Sequence, residues 1–74
     1  MKRAYAVIYE KTNTGYSAYV PDLPGCITTG RTREETERLM KEAIEFHLAG
    51  MREDGEPIPE PTTVAAMLPV EPAA

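Results

Sequence analysis

The sequence predicts an α+β fold: a three-stranded antiparallel meander, one covering helix and a short last strand, in the order β-β-β-α-β. Three observations predict it. Three short segments rich in β-branched and aromatic residues are separated by turn residues, and one long amphipathic segment follows them. The length of 74 residues leaves room for one small domain. A domain of this size holds one sheet and one helix but no deep substrate cavity.

The first two strands are predicted to form a hairpin. Residues 4–10 (AYAVIYE) and residues 16–20 (YSAYV) are both typical of strands. The connection at 11–15 contains Asn and Gly, which favour a tight turn. Tyr5 and Tyr9 share one face of the first strand with Val7, and the opposite face carries Ala4, Ala6, Ile8 and Glu10. Both faces carry apolar groups, so we expect a partner on the face that the helix leaves open.

A stiff loop is predicted at residues 21–25 (PDLPG). Two prolines fix φ, Asp22 can bond to nearby backbone, and Gly25 permits a sharp reversal. Residues 26–29 (CITT) predict the third strand, with Gly30 at its exit.

One long amphipathic helix is predicted after the sheet. Thr32 and Glu35 fit a capping box, the helix extends to about Asp54, and Gly55 supplies its stop. The stripe expected to face the sheet contains Thr36, Met40, Ala43, Ile44, His47 and Met51, flanked by Leu39, Phe46 and Leu48.

The chain after the helix is rich in proline. Residues 56–61 alternate proline with other residues and predict an extended, semi-rigid segment. Residues 63–68 (TVAAML) predict the short last strand, which nearby prolines would confine to an edge. We expect residues 1–70 to form the domain and residues 71–74 to be a disordered tail.

The charge is acidic and unevenly distributed. The chain has 12 acidic and 8 basic residues, a net charge of −4 and a pI near 4.9. Residues 1–33 carry a net +3, whereas residues 34–74 carry a net −7. An acidic chain lacks the basic footprint of a nucleic-acid-binding protein. The second half would suit a basic partner, although a glutamate-solvated helix face explains the same charges.

Catalysis and metal binding find little support in the sequence. Cys26 and His47 are the only cysteine and histidine. A Cys26–His47 hydrolase would also need an oxyanion site and an orienting group, for which no candidate is evident. The glutamates near the helix start are explained by the helix dipole, and no metal-ligand spacing occurs. We therefore predict no enzymatic activity, no catalytic residue, no metal and no cofactor.

The N-terminal residues lack the apolar run of a signal peptide, and no segment approaches the roughly 20 apolar residues of a membrane span. We therefore expect a cytoplasmic protein with no membrane partner.

Two specific segments, in this order and spacing, carry a family resemblance. They are residues 16–26 (YSAYVPDLPGC) and residues 54–61 (DGEPIPEP), with Gly30, Thr32 and residues 43–48 (AIEFHL) between them. The chain resembles, over almost its whole length, the HicB-like antitoxins of type II toxin–antitoxin (HicAB) systems. The resemblance implies a partial RNase H-like fold that lacks the carboxylate set of the true nucleases.

The resemblance also implies a partner. Such antitoxins bind HicA, a small basic mRNA-cleaving ribonuclease, and cover its active site; members of the family are usually dimeric or tetrameric. Many members carry a DNA-binding segment that this sequence does not show, so we expect a single-domain member that binds no DNA by itself.

The residues that we expect to bind the partner belong to the end of the second strand, to the stiff loop and to the solvent-facing side of the helix. They are Tyr19, Pro21, Asp22, Leu23, Pro24, Glu42, Glu45 and Glu53. The alternative is a solitary homo-oligomer with a structural or regulatory role and no toxin.

Overall fold

The computed structural model describes residues 3–73, and Met1, Lys2 and Ala74, the ends of the expected domain and tail, lie outside it. Its elements are β1 (Ile8–Lys11), β2 (Tyr16–Tyr19), β3 (Ile27–Gly30) and α1 (Arg33–Glu53). The strands form an antiparallel sheet in the order β1-β2-β3. The predicted α+β fold with a meander and one covering helix is confirmed.

The register of the sheet separates its two faces. Ile8 pairs with Tyr19, which pairs with Ile27, and this cross-strand row lies on the face without the helix. The next row, which contains Tyr9 and Ala18, faces the helix; Ala18 is fully buried and Tyr9 packs against the core. Tyr5 and Tyr9, which are predicted to share one face, both pack against the core.

The first strand begins four residues later than predicted. Residues 4–7 have no strand partner, because Ile8 already pairs with the last residue of β2, Tyr19. Beyond Tyr19 the chain turns away at Pro21, which provides no backbone donor. Tyr5 nevertheless packs against the core from this irregular segment.

The helix is capped at both ends as the sequence predicts. Thr32 is the N-cap, and its hydroxyl accepts a 3.0 Å hydrogen bond from the Glu35 backbone N–H. The Glu35 carboxylate in turn accepts a 2.6 Å bond from the Arg31 backbone N–H. At the other end Asp54 is the C-cap, and Gly55 has a φ of 72°, a conformation that favours glycine.

The core is small and lies between the sheet, the loop and the helix. Its buried apolar side chains are Ala18, Val20, Leu23, Cys26 and Met40, with Tyr5, Val7, Tyr9, Ala43, Ile44 and Leu48 packed around them. Gly30 allows the helix to approach β3, since a Cβ at this position would lie 2.5 Å from the Thr36 hydroxyl. Thr36 is fully buried and donates a 2.7 Å hydrogen bond to the Thr32 carbonyl.

The short last strand predicted over residues 63–68 is wrong: residues 56–73 contain no strand. A strand needs a neighbour to satisfy its N–H and C=O groups, and residues 62–63 are instead bound beside the loop at 21–25. Pro61 and Pro69 further limit pairing on either side. Within residues 3–73, the single helix is too polar to cross a membrane.

Candidate partner-binding surface

The loop between β2 and β3 is held by its own backbone. The N–H of Leu23 donates to the Val20 carbonyl at 3.0 Å, and the N–H of Cys26 donates to the Leu23 carbonyl at 3.0 Å. A third bond, from the Val20 N–H to the Cys26 carbonyl at 3.2 Å, closes the base of the loop. Gly25 completes the reversal with a φ of 86°. The loop is therefore a preformed surface.

Asp22 joins this loop to the C-terminal segment. Its carboxylate accepts bonds from the backbone N–H groups of Thr62 and Thr63, each at 3.0 Å. It also accepts from the hydroxyls of Thr62, at 3.1 Å, and of Thr63, at 2.8 Å. Together these bonds, chiefly those from Thr63, hold the pKa of the Asp22 carboxyl below its usual value. We call this cluster of Asp22, Thr62 and Thr63 the Asp22 latch.

Two further contacts tie the segment before the latch to the N-terminal residues. The Tyr5 hydroxyl donates a 2.6 Å hydrogen bond to the Pro59 carbonyl. The Arg3 guanidinium pairs with the Glu60 carboxylate at 3.0 Å. Residues 59–63 are thus bound to the rest of the domain at two places, the N-terminal residues and the loop at 21–25.

The residues of β2 and of the loop that we expect to bind a partner differ in their exposure to solvent. Tyr19, Pro21 and Pro24 are exposed. Leu23 is fully buried, so the expectation that it contacts a partner is corrected: its side chain fills the core and holds the loop from below. The carboxylate of Asp22 is occupied by the latch and is not a free partner-binding group.

The three predicted glutamates of the helix are exposed but lie in different surroundings. Glu42 is 3.8 Å from Arg38, one turn earlier on the helix. Glu45 lines a groove of about 460 Å³ together with basic side chains, so its charge is locally balanced. The basic residues of that groove are Arg3, Lys41 and Arg52. Glu53 lies at the last residue of α1, next to Asp54.

Phe46 is far more exposed than its position beside the apolar stripe of the helix predicts. It was expected at the flank of the buried stripe, but 82% of its surface is exposed. Glu42 and Glu53 precede and follow Phe46 by four and seven residues, so they share its helix face. This spacing could have predicted the exposure of Phe46, because it aligns the phenylalanine with two glutamates on the outer face of the helix.

The loop and the end of the helix form one surface around Phe46. A groove of about 650 Å³ is lined by Pro24, Gly25, Phe46, His47, Gly50, Met51, Asp54 and Glu56, and we call this the loop–helix surface. It combines an exposed aromatic ring with carboxylates and a rigid loop. Such a surface suits a partner that presents an apolar pocket with a basic rim.

Cys26 and His47, the two residues considered for catalysis, lie in different surroundings. Cys26 is 4% exposed within the core, and burial raises the pKa of its thiol, which disfavours the reactive thiolate. His47 is half-buried and lines the loop–helix surface. Among residues 3–73, no group of three or more potential metal ligands is found.

Comparison with known proteins gives a family match over nearly the whole chain. Residues 5–72 match the model described as the HicB-like antitoxin of bacterial toxin–antitoxin systems.

Two curated relatives, one of them a named HicB antitoxin, match most of the chain. An uncharacterised 14.9 kDa protein of Haemophilus phage HP1 is 48% identical over 56 residues, which are 76% of this chain and 42% of the phage protein. Antitoxin HicB 2 of Photorhabdus laumondii is 36% identical over 59 residues, 80% of this chain and 42% of that antitoxin. The chain therefore spans less than half the length of these two relatives.

A solved structure matches the fold as well as the sequence. A chain of the HicA3 and HicB3 toxin–antitoxin complex superposes with a TM-score of 0.70 and 30% identity. The match covers 81% of this chain and 70% of that chain.

Proposed function

This chain is a member of the HicB-like antitoxin family, and we propose that it neutralises a small basic, mRNA-cleaving ribonuclease toxin by covering the toxin's active site. The observation that carries the proposal is the family match over residues 5–72. The similar chain from a HicA3 and HicB3 complex supports a protein partner of the HicA kind. A target that cleaves mRNA also supports a cytoplasmic location.

The loop–helix surface is the proposed contact with the toxin. Phe46 supplies an exposed aromatic anchor, the kind of side chain that dominates binding energies at protein interfaces. Glu53, Asp54 and Glu56 place carboxylates around the C-terminal end of the helix. A ribonuclease that holds RNA presents basic side chains, so these carboxylates favour its approach and orientation.

The rigidity of the loop supports the same proposal. The backbone bonds within the loop and the Asp22 latch fix Pro21 and Pro24 before any partner arrives. A surface that is already ordered loses little conformational entropy on binding. Pro24 then provides apolar contact area beside Phe46 without a folding step, whereas Tyr19 lies on the face of the sheet without the helix, away from this surface.

We further propose that the chain has no enzymatic activity and binds no DNA by itself. Membership in an antitoxin family supports a binding role rather than a catalytic one. The buried position of Cys26 makes it a poor nucleophile, and the net charge of −4 disfavours contact with phosphates.

Growth rescue and direct binding test the proposal. The products of the genes that neighbour this chain's gene would each be expressed with and without the chain, and their RNA cleavage would be measured in vitro. We expect the wild-type chain to restore growth and to inhibit cleavage at equimolar concentration. A toxic neighbouring ribonuclease that neither binds the chain nor loses activity in its presence would contradict the proposal.

Matched variants locate the contact. Phe46→Ala should weaken toxin binding at least about tenfold, as for an interface anchor. Leu68→Ala removes an equally exposed apolar side chain outside the loop–helix surface and should leave toxin affinity unchanged. Equal effects of the two variants would place the contact elsewhere.

A solitary homo-oligomer is the second candidate function. The exposed apolar residues near the C-terminus favour self-association, but they lie outside the loop–helix surface, so the two functions are compatible.

A further inference from the structure

The C-terminal segment beyond the latch exposes an unusual amount of apolar surface. We call residues 64–70 (VAAMLPV) the C-terminal arm. Its large side chains are almost fully in water: Val64 is 89% exposed, Met67 96%, Leu68 78% and Val70 82%. Scattered exposed apolar residues are ordinary, but four in seven consecutive residues form a continuous apolar segment.

The arm is held away from its own core. The Asp22 latch fixes Thr62 and Thr63 immediately before the arm begins. The radius of gyration of 14.6 Å exceeds the roughly 11 Å expected of a compact chain of this length. The longest dimension, 53 Å, also exceeds the roughly 31 Å length of a 21-residue helix. The arm therefore extends outward instead of completing the core beneath it.

The sheet offers a matching surface on its helix-free face. The cross-strand row of Ile8, Tyr19 and Ile27 lies there, with Ile27 64% exposed and Tyr19 40% exposed. We call these three residues the helix-free row. The latch follows Tyr19 by only three residues, so each arm leaves the body close to this row.

The distribution of charged residues indicates which segment packs on this row. Residues 61–70 contain no charged side chain, although Glu60 and Glu71 flank them, and most of the other carboxylates lie on the helix and at its end. A segment made to meet a basic toxin would carry acidic groups, and the arm carries none. The helix-free row is likewise uncharged, so arm and row suit each other.

We propose that the C-terminal arm of one copy packs on the helix-free row of a second copy, and that the second copy's arm packs on the first. Reciprocal contacts of this kind close a two-fold symmetric dimer with no unpaired surface. The small core gives a reason: among residues 3–73, only five apolar side chains are buried. The dimer would use neither Phe46 nor the loop–helix surface, so it stands independently of the proposed toxin contact.

Sedimentation equilibrium of the full chain over a micromolar range tests this proposal. We expect the wild type to be dimeric. Leu68→Glu, in the arm, and Ile27→Glu, in the helix-free row, should each weaken dimerisation at least about tenfold. Both positions are exposed, so the monomer should retain its circular dichroism spectrum. Phe46→Glu, an equally drastic change at an exposed apolar residue, should leave the dimer intact.

The other outcomes overturn the proposal. A wild-type chain that is monomeric throughout contradicts it, as does a dimer that only Phe46→Glu dissociates. Loss of toxin binding in Leu68→Glu with unchanged self-association would assign the arm to the toxin instead. If the dimer responds as expected but no variant binds a toxin, the dimer proposal stands and the proposed function fails.

Discussion

The body and the C-terminal arm contain the same kinds of apolar residues in opposite environments. In the body, Leu23 and Met40 are 0% and 1% exposed. In the arm, Leu68 and Met67 are 78% and 96% exposed. The difference lies in attachment, because the Asp22 latch fixes the chain just before the arm and directs it away from the core. Hydrophobic composition alone therefore does not decide which residues form the core of this domain.

The largest contrast is expected between two leucines. Leu23→Ala should lower the free energy of unfolding by about 2–5 kcal/mol, because it leaves a cavity beneath the loop. Leu68→Ala should change it by less than about 0.5 kcal/mol at concentrations where the chain is monomeric. Urea unfolding of both variants measures the difference. Similar losses from the two substitutions would show that the arm packs on its own body.

A pair of glycines sharpens the same comparison within the body. Gly30→Ala should destabilise the fold by about 1–3 kcal/mol, because its Cβ would lie 2.5 Å from the Thr36 hydroxyl and 3.0 Å from the Thr36 nitrogen. Gly50→Ala meets nothing within 4 Å and should stabilise the helix by about 0.5–1 kcal/mol. Thermal unfolding distinguishes them. Destabilisation by both would contradict the close contact assigned to Gly30 alone.

The N-cap should have a smaller effect. Thr32→Ala removes the hydroxyl that accepts the Glu35 N–H, and should cost about 0.5–2 kcal/mol. Thr32→Ser keeps the acceptor and should restore most of the loss. If serine and alanine prove equally destabilising in urea unfolding, the hydroxyl bond is not the source of the effect.

The latch should give the smallest effect and a distinctive pH dependence. Its hydrogen bonds lower the pKa of Asp22 in the folded chain, so its stabilisation is fully present above the ordinary carboxyl value of 3.8. That stabilisation is lost as the pH falls through the lower folded value. Asp22→Asn should therefore lower the melting temperature slightly at pH 7 and cease to do so under strongly acidic conditions.

Asp54→Asn provides the control for the latch, since it removes one carboxylate charge at the helix C-cap and leaves the latch bonds in place. A stability loss in Asp22→Asn that does not diminish toward low pH would contradict the ionised latch.

Local signals predicted most of the fold. The capping pair Thr32 and Glu35 and the stop at Gly55 located the helix, because these signals act within a few residues. The residues of β2 and its alternation were also predictable from period two.

The errors all involve contacts between distant parts of the chain. Asp22 binds residues 40 and 41 positions away, and this latch both occupies a predicted partner group and removes the predicted last strand. Leu23 reads as a loop residue, yet the loop folds it into the core. Phe46 lies at the flank of the apolar stripe, where the phase of the helix on the sheet decides its exposure.

The central claim is that two separate surfaces bind two different partners: the loop–helix surface binds the toxin, and the C-terminal arm binds a second copy of the chain. Hydrogen–deuterium exchange of the full chain, with and without a catalytically inactive variant of the basic ribonuclease, tests both parts at once. Without toxin, the amides of Met67 and Leu68 should gain protection as the chain concentration rises. Toxin should add protection at Leu23, Gly25 and residues 50–56 and leave the arm unchanged. Protection of the arm by toxin, with none at the loop–helix surface, would contradict the account.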